Sequence, residues 1–311
     1  MKYVFFGTPQ FAATVLKHLL GKKEHELVAI VSKPDKPQGR QQKIVPTPVK
    51  VVRDQMAPHV PLLQPLKASD PEFVEQLKSF NADLFVVVAY GEIVKKTVLD
   101  IPKICCLNIH ASLLPLYRGA APMQRCLLDG VSRTGITIMR MDVGLDSGDI
   151  LLKKECPVPF DMTLGALTDA LQEISCRAID ESFQLIDSGK AVFTPQDHSL
   201  ATFAPKVSKE EAEINWDEKA INLHNKVRAF SPSPGAWSYL SIRGEKKRLK
   251  ILETSVSSDA SAPIGKLIEL QSQLAVGTKE GVLIIKKLQL EGKSPMDSSQ
   301  FLKGYPLKDL S

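Results

Sequence analysis

Up to Gly189, short continuous apolar runs alternate with stretches in which apolar residues recur every three or four positions. Runs at 2–6, 27–32, 84–89 and 105–110 read as strands. The third, LFVVVA, is apolar on both faces, as in the interior of a parallel sheet. Phe11, Val15 and Leu19 mark one face of a helix after the first run. Asp70-Pro71 opens another, with Asp as cap and Pro at the first helical position. A helix over 122–128, strands over 136–141 and 150–156, and a long helix over 163–186 with Thr163 as cap and Gly189 as stop complete the alternation. This order predicts an α/β fold with an open, mostly parallel sheet, whose ligands gather beyond the carboxyl ends of its strands. The loops carrying Tyr90, His110 and Asp146 are expected on that edge.

The pattern then changes. Residues 190–208 are irregular and read as a linker, and 218–230 as a short helix. Short β-like runs follow at 237–242, 249–252, 265–270, 274–277 and 282–290, the spacing of a small barrel or sandwich. The expected division is a Rossmann-like catalytic domain over 1–189, the linker, and a β domain over 209–311. The strand–Gly7–helix opening lacks the three glycines of a dinucleotide fingerprint, so a tight sheet turn is the better reading than an NAD site.

Composition narrows the class. Hydrophobic residues at 43% and charged residues at 24% fit a globular chain, and no apolar run is long enough for a membrane helix. The five cysteines, at 105, 106, 126, 156 and 176, form no Cys-x-x-Cys pair, so neither a disulfide framework nor a zinc site is suggested and a cytoplasmic setting is expected. A net charge of +5 hints at a polyanionic partner.

The chemistry is concentrated in LNIHASLLPLYR (107–118) and MDVGLDSGD (141–149). Alternation along a strand puts Asn108 and His110 on one face and Ile109 on the other. Asp146 sits between Gly144 and Gly148, on a turn able to approach closely. A carboxylate beside an imidazole can hold its tautomer and favour its charged form. A nucleophilic Cys105 or Cys106 is the competing idea, and it needs an exposed, electropositive setting.

With HASLLPLYRGAAPMQR followed by TGITIMRMDVGLDSGDI, the chain resembles the formyltransferases that use 10-formyltetrahydrofolate. The likeness runs from VFFGTP (4–9) through FSPSPGAW (230–237) and more weakly to the end. It implies Asn108, His110 and Asp146 as catalytic residues, 10-formyltetrahydrofolate as donor without a metal, and a monomer. It places the folate against Ser112, Leu113, Leu114 and Pro115, with the loops of Ala89, Tyr90, Gly91, Ile93, Val143 and Gly144 around the pterin. It also implies an open barrel of the oligonucleotide-binding sort for the β domain, and initiator methionyl-tRNA as acceptor. Leu116 and the pair Gln41, Gln42 depart from more basic positions of the common pattern.

Two basic segments are the candidate tRNA contacts. Residues 33–48 hold four prolines and four basic residues with no expected regular structure, Arg40 and Lys43 among them. Lys246, Lys247 and Arg248 lie in what reads as a basic turn of the β domain. A formyltransferase for a small amine such as a sugar nucleotide, and an RNA-binding protein on a worn enzyme scaffold, are the other readings.

Overall fold

The computed structural model describes residues 1–38 and 42–311. Two compact units emerge: Met1–Gly119 with Thr134–Cys156 and Asp169–Phe203, and Ala120–Arg133 with Pro157–Thr168 and Ala204–Ser311. Among the described residues no helix is long and apolar enough to cross a membrane.

The elements up to Phe230 are β1 (Lys2–Gly7), α1 (Gln10–Leu20), β2 (Glu26–Val31), β3 (Lys36–Gln38), β4 (Lys43–Val45), α2 (Pro48–Met56), β5 (Leu62–Leu63), α3 (Pro71–Ser79), β6 (Leu84–Val88), α4 (Lys96–Leu99), β7 (Cys105–His110), α5 (Pro122–Leu128), β8 (Arg133–Arg140), β9 (Ile150–Pro157), α6 (Leu164–Asp187) and α7 (Ala220–Phe230). The main sheet has the order β5-β2-β1-β6-β7-β8-β9. Its core strands pair in parallel, while β8 runs antiparallel to β7, with Asn108 opposite Met139 and His110 opposite Thr137.

Alternation along the strands builds two buried faces. Val4, Phe6, Val31, Phe85, Val87 and Cys106 pack with Phe73, Val74 and Leu77 of α3 and with Val98 of α4. On the opposite face Tyr3 meets Phe183 of α6, ring centroids 5.5 Å apart. Gly7 explains the lone glycine of the opening turn. A Cβ there would lie 2.6 Å from Ala12 Cβ and 2.7 Å from the Phe5 ring, so it lets α1 close on the sheet.

Two expectations change. Within the segment expected to lack regular structure, β3 and β4 pair antiparallel, Lys36 opposite Val45. The base of this pair is tied down where the Lys50 ammonium meets Asp35 Oδ2 at 2.6 Å and Gln64 Nε2 donates to Asp35 Oδ1 at 2.9 Å. Burial alone would push the Asp35 carboxyl up; those bonds outweigh it and hold it below its ordinary value. Arg40 lies outside the described residues. Second, residues 190–203, expected within a linker, are bonded along the first unit. Ile150 and Thr194 exchange backbone bonds of 2.8 and 2.9 Å, and Arg118 N donates to Thr202 O at 2.8 Å.

The second unit continues with β10 (Ala236–Ile242), β11 (Glu245–Ser257), β12 (Leu267–Leu270), β13 (Gln273–Gly277), β14 (Val282–Leu290), β15 (Met296–Asp297) and α8 (Ser298–Gly304). The antiparallel order β10-β11-β14-β13-β12 makes a half-barrel, with β15 also on β14. Leu240, Leu249, Ile251, Leu274, Ile285 and Leu288 fill its interior with Phe301 of α8.

Within this unit His224 of α7 is buried, its ring stacked on Phe160 at 4.5 Å, Nδ1 at 3.0 Å from Thr254 Oγ1 and Nε2 at 3.0 Å from Phe160 O. Burial pulls its pKa below the ordinary imidazole value of 6.5. A depressed folded pKa contributes stability that is fully present above the unfolded value and lost as pH falls through the folded one. Stability of the wild type against urea should therefore fall as the pH drops below the ordinary imidazole value of 6.5 and on through the lowered folded one, and His224→Gln should lose less over the same acid range. Equal losses in the two proteins would take His224 out of the acid limb.

Candidate active site

β7 delivers the site. Its burial follows the expected alternation only in part: Asn108 is half-buried, whereas Ile109 and His110 are both buried. His110 Nε2 lies 2.9 Å from the Tyr117 carbonyl, and Nδ1 lies 3.6 Å from Asp146 Oδ2. The imidazole thus faces an acceptor at each nitrogen. Asp146 Oδ2 also accepts from Gly119 N at 2.8 Å, and its Oδ1 lies 3.5 Å from Asn108 Nδ2. The three residues singled out in the sequence converge on one carboxylate.

Asp146 does not arrive from the carboxyl edge of the sheet, as parallel strands alone would have it. Because β8 is antiparallel, its last residue, Arg140, stands opposite Leu107, and Met141 N donates to Cys106 O at 2.8 Å. The chain leaves the sheet there and folds back until Asp146 meets Asn108 and His110. That return needs a close pass and an unusual backbone. Any side chain at Gly148 would overlap the Arg140 carbonyl. Asp146 itself has φ 48°, in the left-handed region that costs a non-glycine residue about 1 kcal/mol.

The loop after β7 is held from within. Thr137 Oγ1 donates to Ser112 O at 2.7 Å and accepts from Leu114 N at 3.0 Å, while Ser112 Oγ donates to Leu116 O at 2.6 Å. Ser112 and Leu114 are fully buried, so their side chains shape the loop and leave Leu113 and Pro115 nearer its surface. The peptide bond between Leu114 and Pro115 is cis. Tyr90 is likewise a core residue, its ring edge-on to Phe6 at 5.5 Å, with its carbonyl accepting from Thr8 Oγ1 at 2.9 Å. Ala89 and Gly91 have positive φ. Ile93 is 78% exposed and Val143 73%, two apolar side chains with no protein cover. Gly144 is exposed, its N–H bonded to Asp142 Oδ1 at 2.9 Å. Glu92, next to Ile93 in the chain, pairs with Lys33 and accepts from Ala68 N at 2.9 Å. Burial works against its charge, but these bonds win and lower its pKa.

The cysteine alternative fails on environment. Cys105 and Cys106 are buried, and burial pushes the Cys105 thiol up to about 11, far from a reactive thiolate at neutral pH.

Thr137 and Gln196 of this neighbourhood were not singled out from sequence, and Arg118 and Gly119 entered only as part of a motif, without a role of their own. Arg118 and Gln196 are both 6% exposed and bonded to each other. The signal for Arg118 was present, a charged residue inside the quoted motif; Gln196 sits in a segment whose composition reads as a connector.

In the second unit, Arg243 and Gly244, both at positive φ, turn β10 into β11. The expected basic turn is therefore mostly strand, and Lys246, Lys247 and Arg248 alternate across it. Lys246 Nζ lies 4.0 Å from the Tyr239 ring centroid and Arg248 Cζ 4.0 Å from that of Trp237. Lys247 points to the other face, paired with Glu245 at 3.0 Å. Lys43, on β4 of the first unit, is exposed.

Comparison with known proteins agrees with this architecture. The formyl transferase family matches residues 1–181, and the formyl transferase C-terminal domain matches residues 206–306. The methionyl-tRNA formyltransferase of Chlamydia abortus (strain DSM 27085 / S26/3) is 48% identical over 309 residues, which cover 98% of this chain and 95% of that one. Among solved structures, HypX from Aquifex aeolicus in complex with tetrahydrofolic acid superposes with TM-score 0.63 at 16% identity over 97% of this chain, which spans 47% of HypX. The methionyl-tRNA formyltransferase from Clostridium thermocellum gives TM-score 0.56 at 17% identity, covering 84% of this chain and 95% of that one. With both of its domains matched in sequence, and near-full-length identity of almost one half to a curated relative, this chain belongs to the formyl transferase family.

Proposed function

We propose that this enzyme transfers the formyl group of 10-formyltetrahydrofolate to the amino group of methionyl initiator tRNA. The observation that carries the acceptor is the near-full-length identity to methionyl-tRNA formyltransferases. The amine nitrogen bonds to the formyl carbon and the carbonyl electron pair moves onto oxygen. Collapse of that tetrahedral intermediate breaks the bond to the folate N10. The amine gives up one proton and N10 takes one up. Asn108 supplies an amide donor for the oxyanion and a protonated His110 a second, while Asp146 orients His110 and receives the amine proton through water.

The folate lies against the loop of Ser112, Leu113, Leu114 and Pro115 in this reading. Ile93 and Val143 cover the pterin, and the backbone of Ala89, Tyr90, Gly91 and Gly144 borders it. Residues 1–189 do the chemistry and 209–311 hold the tRNA. Arg40 and Lys43 meet the acceptor end, and Lys246 and Arg248 meet phosphates on the outer face of β10 and β11. The ion pair to Glu245 makes Lys247 the weakest of the three.

The test supplies labelled donor with either charged initiator tRNA or a nucleotide-linked amino sugar. Label is expected in the tRNA alone; transfer to the sugar alone overturns the reading. In binding titrations, Lys246→Met with Arg248→Met should flatten the slope of log affinity against log salt by about one unit per lost phosphate contact, and Lys247→Met by less. An unchanged slope in the double variant returns this face to the role of a solvated hairpin.

A further inference from the structure

We propose that Gln196 is a positioning residue for the Asp146 carboxylate, held in place by Arg118. The proposal rests on the reading of Asp146 as a catalytic group. Gln196 donates from Nε2 to Asp146 O at 2.9 Å and to Gly148 O at 2.7 Å. It therefore grips the backbone on either side of Ser147, across the turn in which Asp146 takes its left-handed conformation. An amide has two faces, and the other is fully used. Gln196 Oε1 accepts from Arg118 Nη2 at 2.7 Å and from Nε at 3.2 Å. Arg118 only donates, so Nδ1 of His198, 3.0 Å from Nη2, is a further acceptor for it.

Three consecutive residues thus serve one arrangement. The Tyr117 carbonyl takes His110 Nε2, the Arg118 guanidinium fixes Gln196, and the Gly119 N–H takes Asp146 Oδ2. The imidazole and the carboxylate are referred to the same short stretch of chain, and Gln196 closes the loop between them. A shift of the Asp146 turn would move its carboxylate away from His110 and from the Gly119 N–H together.

Gln196→Glu separates this role from simple satisfaction of a buried arginine. A carboxylate can still accept from Arg118, but it cannot donate to the Asp146 and Gly148 carbonyls. We expect kcat to fall roughly ten- to a hundredfold, with KM for the folate within about twofold, because the loss falls on the geometry of the reacting groups. Gln196→Asn, which keeps the amide but is one methylene shorter, should lose less than Glu. If Gln196→Glu melts below the assay temperature, Gln196→Met replaces it with the same expected loss.

The deciding readout is a double-mutant cycle with Asp146→Asn. A residue that acts through Asp146 costs little once that carboxylate is gone, so the two losses should be far from additive. Additive losses, or wild-type kcat in Gln196→Glu, would overturn the proposal. Near wild-type turnover of Asp146→Asn alone would instead remove the catalytic reading on which it rests, so the two failures are told apart.

Discussion

Replacing His110 by alanine is expected to cut turnover by roughly a hundred- to a thousandfold while leaving tetrahydrofolate binding within about twofold. The ring stands between the Tyr117 carbonyl and the Asp146 carboxylate, and in the proposed mechanism its removal takes a donor from the oxyanion. Truncation also removes the hydrogen bond between the ring and the Tyr117 carbonyl, a structural loss separate from the chemistry. His110→Gln therefore belongs in the experiment. Its amide can donate to the same carbonyl and restore the fold, yet it carries no titratable proton. Single-turnover formylation, folate calorimetry and thermal melting together resolve the two contributions. A Gln variant that melts like the wild type and still loses turnover assigns the loss to chemistry. Near wild-type turnover of His110→Ala removes His110 from the mechanism.

Much of this arrangement was legible in the sequence because each signal was local. The apolar run ending in Asn-x-His gave β7 with its bounds, the helix expected over 122–128 is α5, and Pro71 at the first helical position gave α3. Thr163 and Gly189 bracketed α6, whose end is marked by the positive φ of Gly189. What stayed hidden depends on partners far along the chain. The direction of β8 is set by pairing with β7, and the hydrophobic pattern of a strand is the same in either direction. Four prolines masked the β3–β4 pairing. The helix α2 that follows it buries only Val49 fully, so its period is faint, and its Thr47 cap and first-turn Pro48 went unread among the prolines. The charged end of β11 read as a turn because its cations alternate with residues that point inward only from Leu249 onward. Gln196 was invisible for the same reason that a polar residue in an irregular stretch always is: its role is defined by Arg118, Asp146 and Gly148, none of them a sequence neighbour.

Asp146→Asn is the companion experiment to His110→Ala, and its expected result is a loss of turnover of about a hundredfold or more together with a changed pH–rate profile. Asparagine keeps the volume and can still accept from the Gly119 N–H through its carbonyl oxygen. Its amino group must then occupy the place of the second carboxylate oxygen, where Asn108 Nδ2 already points, so two donors confront each other across the former 3.5 Å contact. The negative charge beside the imidazole disappears as well, and with it a base for the amine proton. The fold should survive, since the left-handed conformation at φ 48° is one that asparagine adopts as readily as aspartate. The measurement is kcat and kcat/KM for labelled formyl transfer across the pH range, with folate affinity taken separately. If Asp146 both orients the imidazole and receives the proton, one limb of the profile should vanish and folate affinity should barely move. A rate and profile matching the wild type would place catalysis elsewhere and leave Asp146 as a turn residue gripped by Gln196.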